Sequence, residues 1–139
     1  GKHVYQAKLA EQAEQWDQMV ECMEHVVTAG EELNTEERNL LSTAFKNMIG
    51  PRRAAWRIVK AVQWKEAAKG EEKHAGYAEE YCAKVEDELD RLSYLSLKLL
   101  DEHLIKKGSG QSKVYYQKMR ADAFRYMAEY KQGDEHLKM

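Results

Sequence analysis

"RNLLSTAFKNMIGPRRAAWR" occupies residues 38–57. Leu41, Ala44, Met48 and Ala55 recur at spacings that build one face of a helix, and Val59 and Val62 continue the stripe. Gly50-Pro51 interrupts the stretch. Inside a helix, Pro51 loses its own N–H bond and crowds the carbonyl of Asn47, at a cost of about 3 kcal/mol. The alternative is a break at Gly50, with Pro51 opening a second helix. The apolar stripe keeps its phase across the site, which favours one kinked helix. Asn34 can cap its start while Glu37 reaches back three residues later. The helix is expected to run to about residue 68, ahead of Gly70.

Four further helices follow from the same spacing rule. The first is expected over residues 3–15, with Leu9, Ala13 and Trp16 on one face. The second covers 17–29, with Met19, Met23 and Val26 or Val27, and Gly30 supplies a left-handed C-cap. The fourth covers 72–106 through Tyr77, Tyr81, Val85, Leu89, Leu92, Leu99 and Leu104. "GSGQS" (108–112) is a turn, and Ser112 is placed as the N-cap of the fifth helix. That helix covers 113–131 through Val114, Met119, Ala123, Tyr126 and Met127, and Gly133 ends it. Two helices of more than 30 residues suggest an elongated antiparallel bundle. No repeat at a fixed period supports a solenoid.

Bulk properties agree with a helical reading. The chain has 139 residues, one proline and 43% apolar residues, enough for one core. No run of about 18 apolar residues exists, so no membrane span is expected. No apolar h-region opens the chain, so no secretory leader is expected and the cytoplasm is the natural compartment. Cys22 and Cys82 form no C-x-x-C. Two reduced thiols are the plainer reading, and a disulfide stays open on sequence alone. A net charge of −2 argues against general nucleic-acid binding, which wants a basic footprint.

Positive charge is nonetheless concentrated locally. Asn39, Ser42, Lys46, Arg53, Arg57 and Lys60 follow one another at spacings of three, four or seven residues, a nearly straight line along the third helix. Lys46 and Arg53 lie two turns apart, roughly 10 Å, so both side chains can reach one anion. Arg offers a planar fork to a phosphate and Lys a point charge. The competing explanation is an ordinary solvated face. Two features oppose it. Acidic partners at i±4 are missing along most of the line, and small polar residues share it. On the fifth helix, Asp122 is placed to hold Arg125 at i+3, and Tyr126 can pack its ring while donating its hydroxyl. An ordinary ion pair and a half-buried tyrosine explain those residues equally well in isolation.

"RNLLSTAFKN" (38–47) closely resembles the signature segment of the 14-3-3 family. The flanking segments resemble it too, in order: "AKLAEQAEQWDQMVECM" (7–23), "EELNTEERNLLS" (31–42), "RRAAWR" (52–57), "SKVYYQKM" (112–119) and "DAFRYMAEY" (122–130). The resemblance covers essentially the whole chain. It implies an all-α antiparallel bundle of which residues 1–139 form the first five of nine helices, a single and incomplete domain. It further implies a non-catalytic adaptor, without cofactor or metal, that binds phosphoserine or phosphothreonine segments of client proteins and forms homo- or heterodimers. By motif, the phosphate pocket is Lys46, Arg53, Arg125 and Tyr126, with Asn39, Ser42, Arg57 and Lys118 supporting the groove. Leu9, Ala10 and Ala13 look like the residues that pack on a partner's Ala55, Val59 and Tyr81.

Several residues depart from the pattern. Pro51 stands where the family usually continues a plain helix, which puts the angle between Lys46 and Arg53 in doubt. Ala55 replaces a serine whose phosphorylation opposes dimerisation in many members. Gln15 and Gln18 replace charged residues that would bridge to Glu88 and Lys84, though exposed bridges contribute only about 0–1 kcal/mol each. The helices that grip the backbone of a client are absent from the 139 residues. A truncated dimerisation module that holds clients poorly is therefore the alternative function. A di-metal helical enzyme needs Glu-x-x-His on two helices, and only Glu71-x-x-His74 occurs.

Overall fold

A computed structural model describes the backbone of residues 1–138 and the side chains of residues 1–131. Among the described residues the chain is helical and has no strand. Helix α1 is Lys2–Gln12, α2 Trp16–Thr28, α3 Thr35–Ala68, α4 Glu72–Leu99 and α5 Gly110–Lys138. Helix α4 continues through a π-helical turn, Leu100–Leu104, and a last turn, Ile105–Lys107.

The long third helix forms as its sequence dictates. The Asn34 side chain accepts from the Glu37 amide at 2.8 Å, and the Glu37 carboxylate accepts from the Asn34 amide at 2.9 Å. This reciprocal capping box satisfies two amides that the helix start would otherwise leave open. The helix then passes through Pro51 without ending. Around the proline, Arg52 reinforces it. Its Nη1 donates to the Met48 carbonyl at 2.9 Å, and its Nε donates to Glu88 on α4 at 3.0 Å.

Boundaries differ from expectation in four places. Helix α1 stops at Gln12, and Glu14 turns the chain at φ 56°, so Trp16 opens α2 instead of closing α1. The π-turn has no counterpart in the apolar spacing. Helix α5 starts at Gly110, because the Lys113 amide donates to the Ser109 carbonyl. Ser112 is consequently not a cap but a buried residue of the first turn, where its hydroxyl accepts from Arg38. The helix also continues past Gly133 to Lys138, since a single glycine costs a helix only about 1 kcal/mol.

Packing follows chain order: α1 on α2, α2 on α3, α3 on α4 and α4 on α5. Met19, Met23, Val27, Leu41, Ala44, Leu89 and Leu100 are among the fully enclosed core residues. Cross-helix pairs set the directions. Arg52 meets Glu88 and Trp56 meets Glu86, so α3 and α4 are antiparallel. Asp101 meets Arg120 and Asp90 meets Tyr130, so α4 and α5 are antiparallel. Arg38 meets Ser112 and Arg57 meets Glu129, so α3 and α5 run side by side in parallel. That parallel pair brings two helix faces distant in sequence along one groove.

The groove is fastened at one end by the loops. Glu32 accepts from the Ser109 amide at 3.2 Å, and Lys107 donates to the Gly30 carbonyl at 2.9 Å. Gly30 has φ 93°, a conformation that a side chain would strain. No disulfide joins Cys22 and Cys82. Among the described residues, no helix is long and apolar enough to cross a membrane.

Candidate phosphate-binding pocket

An open pocket of about 370 Å³ lies between α3 and α5. Phe45, Ile49, Met119 and Ala123 give it apolar walls, and Ser96 of α4 reaches it from below. Ser42, Lys46, Lys118, Asp122, Arg125 and Tyr126 supply the polar lining. Of the pocket and groove residues that the family resemblance implies, the fold therefore gathers five around one cavity: Ser42, Lys46, Lys118, Arg125 and Tyr126.

Arg53 does not line the cavity but touches one of its walls, Tyr126. Its guanidinium carbon lies 4.2 Å from the centre of the Tyr126 ring, and that of Arg125 lies 5.2 Å from the same ring. Both fall within cation–π range. Asp122 holds Arg125 from behind, 3.3 Å from its Nη2, as the i+3 spacing predicts. Lys46 and Lys118 make no hydrogen bond or ion pair among the described residues, so their charges stay available to a ligand.

Arg53 and Arg57 of α3 are different. The sequence shows no acidic partner for them along their own helix, yet Glu129 of α5 lies against both. Its Oε2 accepts from Nε and Nη2 of Arg57, at 3.1 and 2.7 Å. Its Oε1 stands 3.7 Å from Nε of Arg53. The hydrogen bonds and charge of Glu129 raise the Arg57 pKa above its ordinary value. Glu129, outside the cavity lining, is thus a partner of these two arginines that the sequence reading missed. Its position four residues after Arg125 could have shown it, but only once α3 and α5 were known to be parallel.

Two expected members fall elsewhere. Asn39 lines a separate cavity with Glu11, Thr35, Glu36, Leu40 and Thr43. Lys60 is not part of an exposed line. It is 2% exposed, donates to Gln63 at 3.3 Å and lies 5.5 Å from the Trp56 ring. The line rotates under α4 there, because a straight spacing of 3 and 4 drifts around a long helix. Three cations, Lys46, Lys118 and Arg125, line the cavity against one carboxylate, Asp122, and Arg53, Arg57 and Glu129 lie beside it. The pocket is positive within a chain of net charge −2. Chemically, it can bind an oxyanion and pack apolar groups beside it.

On another surface, Leu9, Ala10 and Ala13 line a shallow cavity on α1 and α2 with Gln18, Cys22 and His25. Leu9 and Tyr81 are 48% and 54% exposed, Ala55 and Val59 are half-buried, and Ala10 is buried. His74 lies 3.7 Å from Glu66 and 4.0 Å from Glu71. Among the described residues, no group of three or more His, Cys, Asp or Glu is placed to hold a metal ion.

A family model described as "14-3-3 protein" matches residues 6–139. The chain belongs to the 14-3-3 family. A 14-3-3-like protein of Helianthus annuus is 53% identical over 138 residues, which are 96% of this chain and 53% of that protein. The 14-3-3-like protein G-BOX factor 14 lambda of Arabidopsis thaliana is 52% identical over 138 residues, covering 96% and 56%. The 14-3-3-like protein F of Nicotiana tabacum is 54% identical over 136 residues, covering 95% and 53%. The chain spans about half the length of these curated relatives. The 14-3-3 proteins are a family of non-enzymatic proteins, and the all-α bundle agrees with membership.

Proposed function

We propose that this chain is a non-catalytic adaptor module that binds phosphoserine or phosphothreonine segments of client proteins in the α3–α5 pocket. The observation that carries the reading is the convergence of Lys46, Arg125 and Tyr126, from two helices, on one open cavity, with Arg53 stacked on the Tyr126 ring beside it. Two guanidiniums give planar forks that match phosphate oxygens, and Lys46 adds a point charge. Charge-assisted hydrogen bonds of this kind contribute about 1.5–3 kcal/mol each. Phe45, Ile49 and Met119 offer apolar surface to the residues flanking the phosphate. Membership of the 14-3-3 family supports the same reading. The cytoplasm is the compartment that it implies.

A second reading has its own observation. Leu9 of α1 and Tyr81 of α4 are exposed apolar residues, suited to pairing with a second family chain. A module that dimerises but holds clients weakly would use that surface without the pocket.

The test is a titration of a fluorescent phosphoserine peptide, and of its dephosphorylated twin, into this chain and its Lys46→Glu variant, read by anisotropy. Phosphate-dependent binding that Lys46→Glu removes is the expected result. Dimer formation in sedimentation, with no preference for the phosphorylated peptide, would leave the second reading in its place.

A further inference from the structure

Beside the pocket, next to the Arg53 that stacks on its Tyr126 wall, stands a carboxylate already paired with the neighbouring cation Arg57. Glu129 lies one turn beyond Arg125 on α5, so the two share a helix face. One carboxylate there serves two arginines unequally. Oε2 takes both Nε and Nη2 of Arg57, the more exposed of the two. Oε1 stays 3.7 Å from Arg53 Nε, too far for a hydrogen bond. That Nε is buried and has no hydrogen-bond partner among the described residues. Arg53 is held instead by its stack on Tyr126.

An arginine whose Nε–Nη2 edge is taken by a carboxylate presents only its remaining edge to a ligand. Its charge is also cancelled at any distance greater than the pair itself. Resting on the phosphate-binding reading above, we propose that Glu129 is a built-in counter-charge that cancels Arg57 and so limits how tightly the pocket holds a phosphate dianion. A dianion feels each unit charge twice as strongly as a carboxylate would, so the balance at this rim acts chiefly on phosphate. The opposing consideration is positioning, since Glu129 also restrains Arg57. A half-exposed ion pair restrains little on balance, and the Arg53 stack does not depend on it. Removal of the charge therefore tightens binding.

The experiment measures the phosphoserine-peptide Kd for the full chain and for Glu129→Gln, Arg57→Gln and the double variant, at low and raised salt. Glu129→Gln should bind about three- to fivefold tighter, the range set by a partly exposed charge, and the gain should shrink as salt rises. Arg57→Gln, which leaves Glu129 uncompensated, should bind weaker. The double variant, with both charges gone, should return toward the wild-type value. A structural role for Glu129 would instead leave the double variant as weak as the worse single one. Glu129→Gln binding no tighter than wild type, while wild type binds in a phosphate-dependent way, overturns the counter-charge and leaves the pocket standing. Absence of phosphate-dependent binding in both wild type and Glu129→Gln overturns both.

Discussion

The Arg53 guanidinium lies over the Tyr126 ring, 4.2 Å from its centre, and so ties the α3 half of the pocket to the α5 half. A flat, delocalised cation stacks on an aromatic face in a way that a compact ammonium does not.

Arg53→Lys keeps the charge and removes both the stack and the fork. It should weaken phosphoserine-peptide binding by about tenfold or more, the worth of one charge-assisted bond. Tyr126→Phe keeps the ring and loses the hydroxyl, so it should cost only about three- to tenfold. Tyr126→Ala should cost more than Tyr126→Phe, because it also releases Arg53. Anisotropy titrations rank the three. An Arg53→Lys chain that binds like wild type would show that the stack does not matter.

Pro51 sits inside α3 with no amide to donate. Pro51→Ala should stabilise the chain by about 2–3 kcal/mol, equivalent to a Tm rise of roughly 6–12 °C at this size. Thermal unfolding followed by circular dichroism measures it directly.

Asn34→Ala removes one arm of the capping box and leaves the Glu37 amide without its acceptor. The expected loss is about 1 kcal/mol, read from urea unfolding as a lower midpoint with an unchanged slope.

Tyr116 and Tyr130 govern the alkaline limit of stability. Burial pushes both phenols above the ordinary value of 10.0, and for Tyr130 a hydrogen bond to Asp90 adds to the shift. The unfolded chain gives up these protons above about pH 10, while the folded chain keeps them. Their stabilising contribution is therefore complete below pH 10 and is lost as pH rises beyond it. Tyr130→Phe should flatten that decline, with a constant cost of about 1–2 kcal/mol at neutral pH from the lost bond. Tyr116→Phe should flatten it with no such cost, because the Tyr116 hydroxyl is buried without a partner among the described residues. Denaturant midpoints between neutral and alkaline pH separate the two.

Much of this architecture is legible in the sequence because it rests on local rules. The Asn34–Glu37 box, the left-handed Gly30 and the helical phase across Pro51 each depend on residues a few positions apart. The pocket cations Lys46 and Arg125 were legible for a second reason, the resemblance of their segments to a known family. What escaped depends on contacts between distant segments. Lys60 reads as part of an exposed line until the packed helices show it buried, with Trp56 four residues before it and Gln63 three residues after it as neighbours on its own helix. Ser112 reads as a cap until Arg38, 74 residues earlier, is found donating to it. Glu129 reads as a surface residue until the parallel course of α3 and α5 sets it against Arg53 and Arg57. Tyr81 carries apolar helical periodicity and still faces outward, since periodicity locates a stripe without saying what covers it.

One backbone hydrogen bond, from residue 51 to the Asn47 carbonyl, is missing from α3, and it falls between Lys46 and Arg53. The spacing of these two cations is thus set by two helical segments joined where one backbone bond is missing, with the Arg52 side chain bracing the junction to Glu88. On the phosphate-binding reading proposed above, a ligand that draws Lys46 and Arg53 toward one phosphate would bend the helix where it lacks that bond. On that reading, the residue that costs α3 stability would also let its two charges adjust to a bound phosphate, and Pro51→Ala would stiffen that adjustment along with the helix.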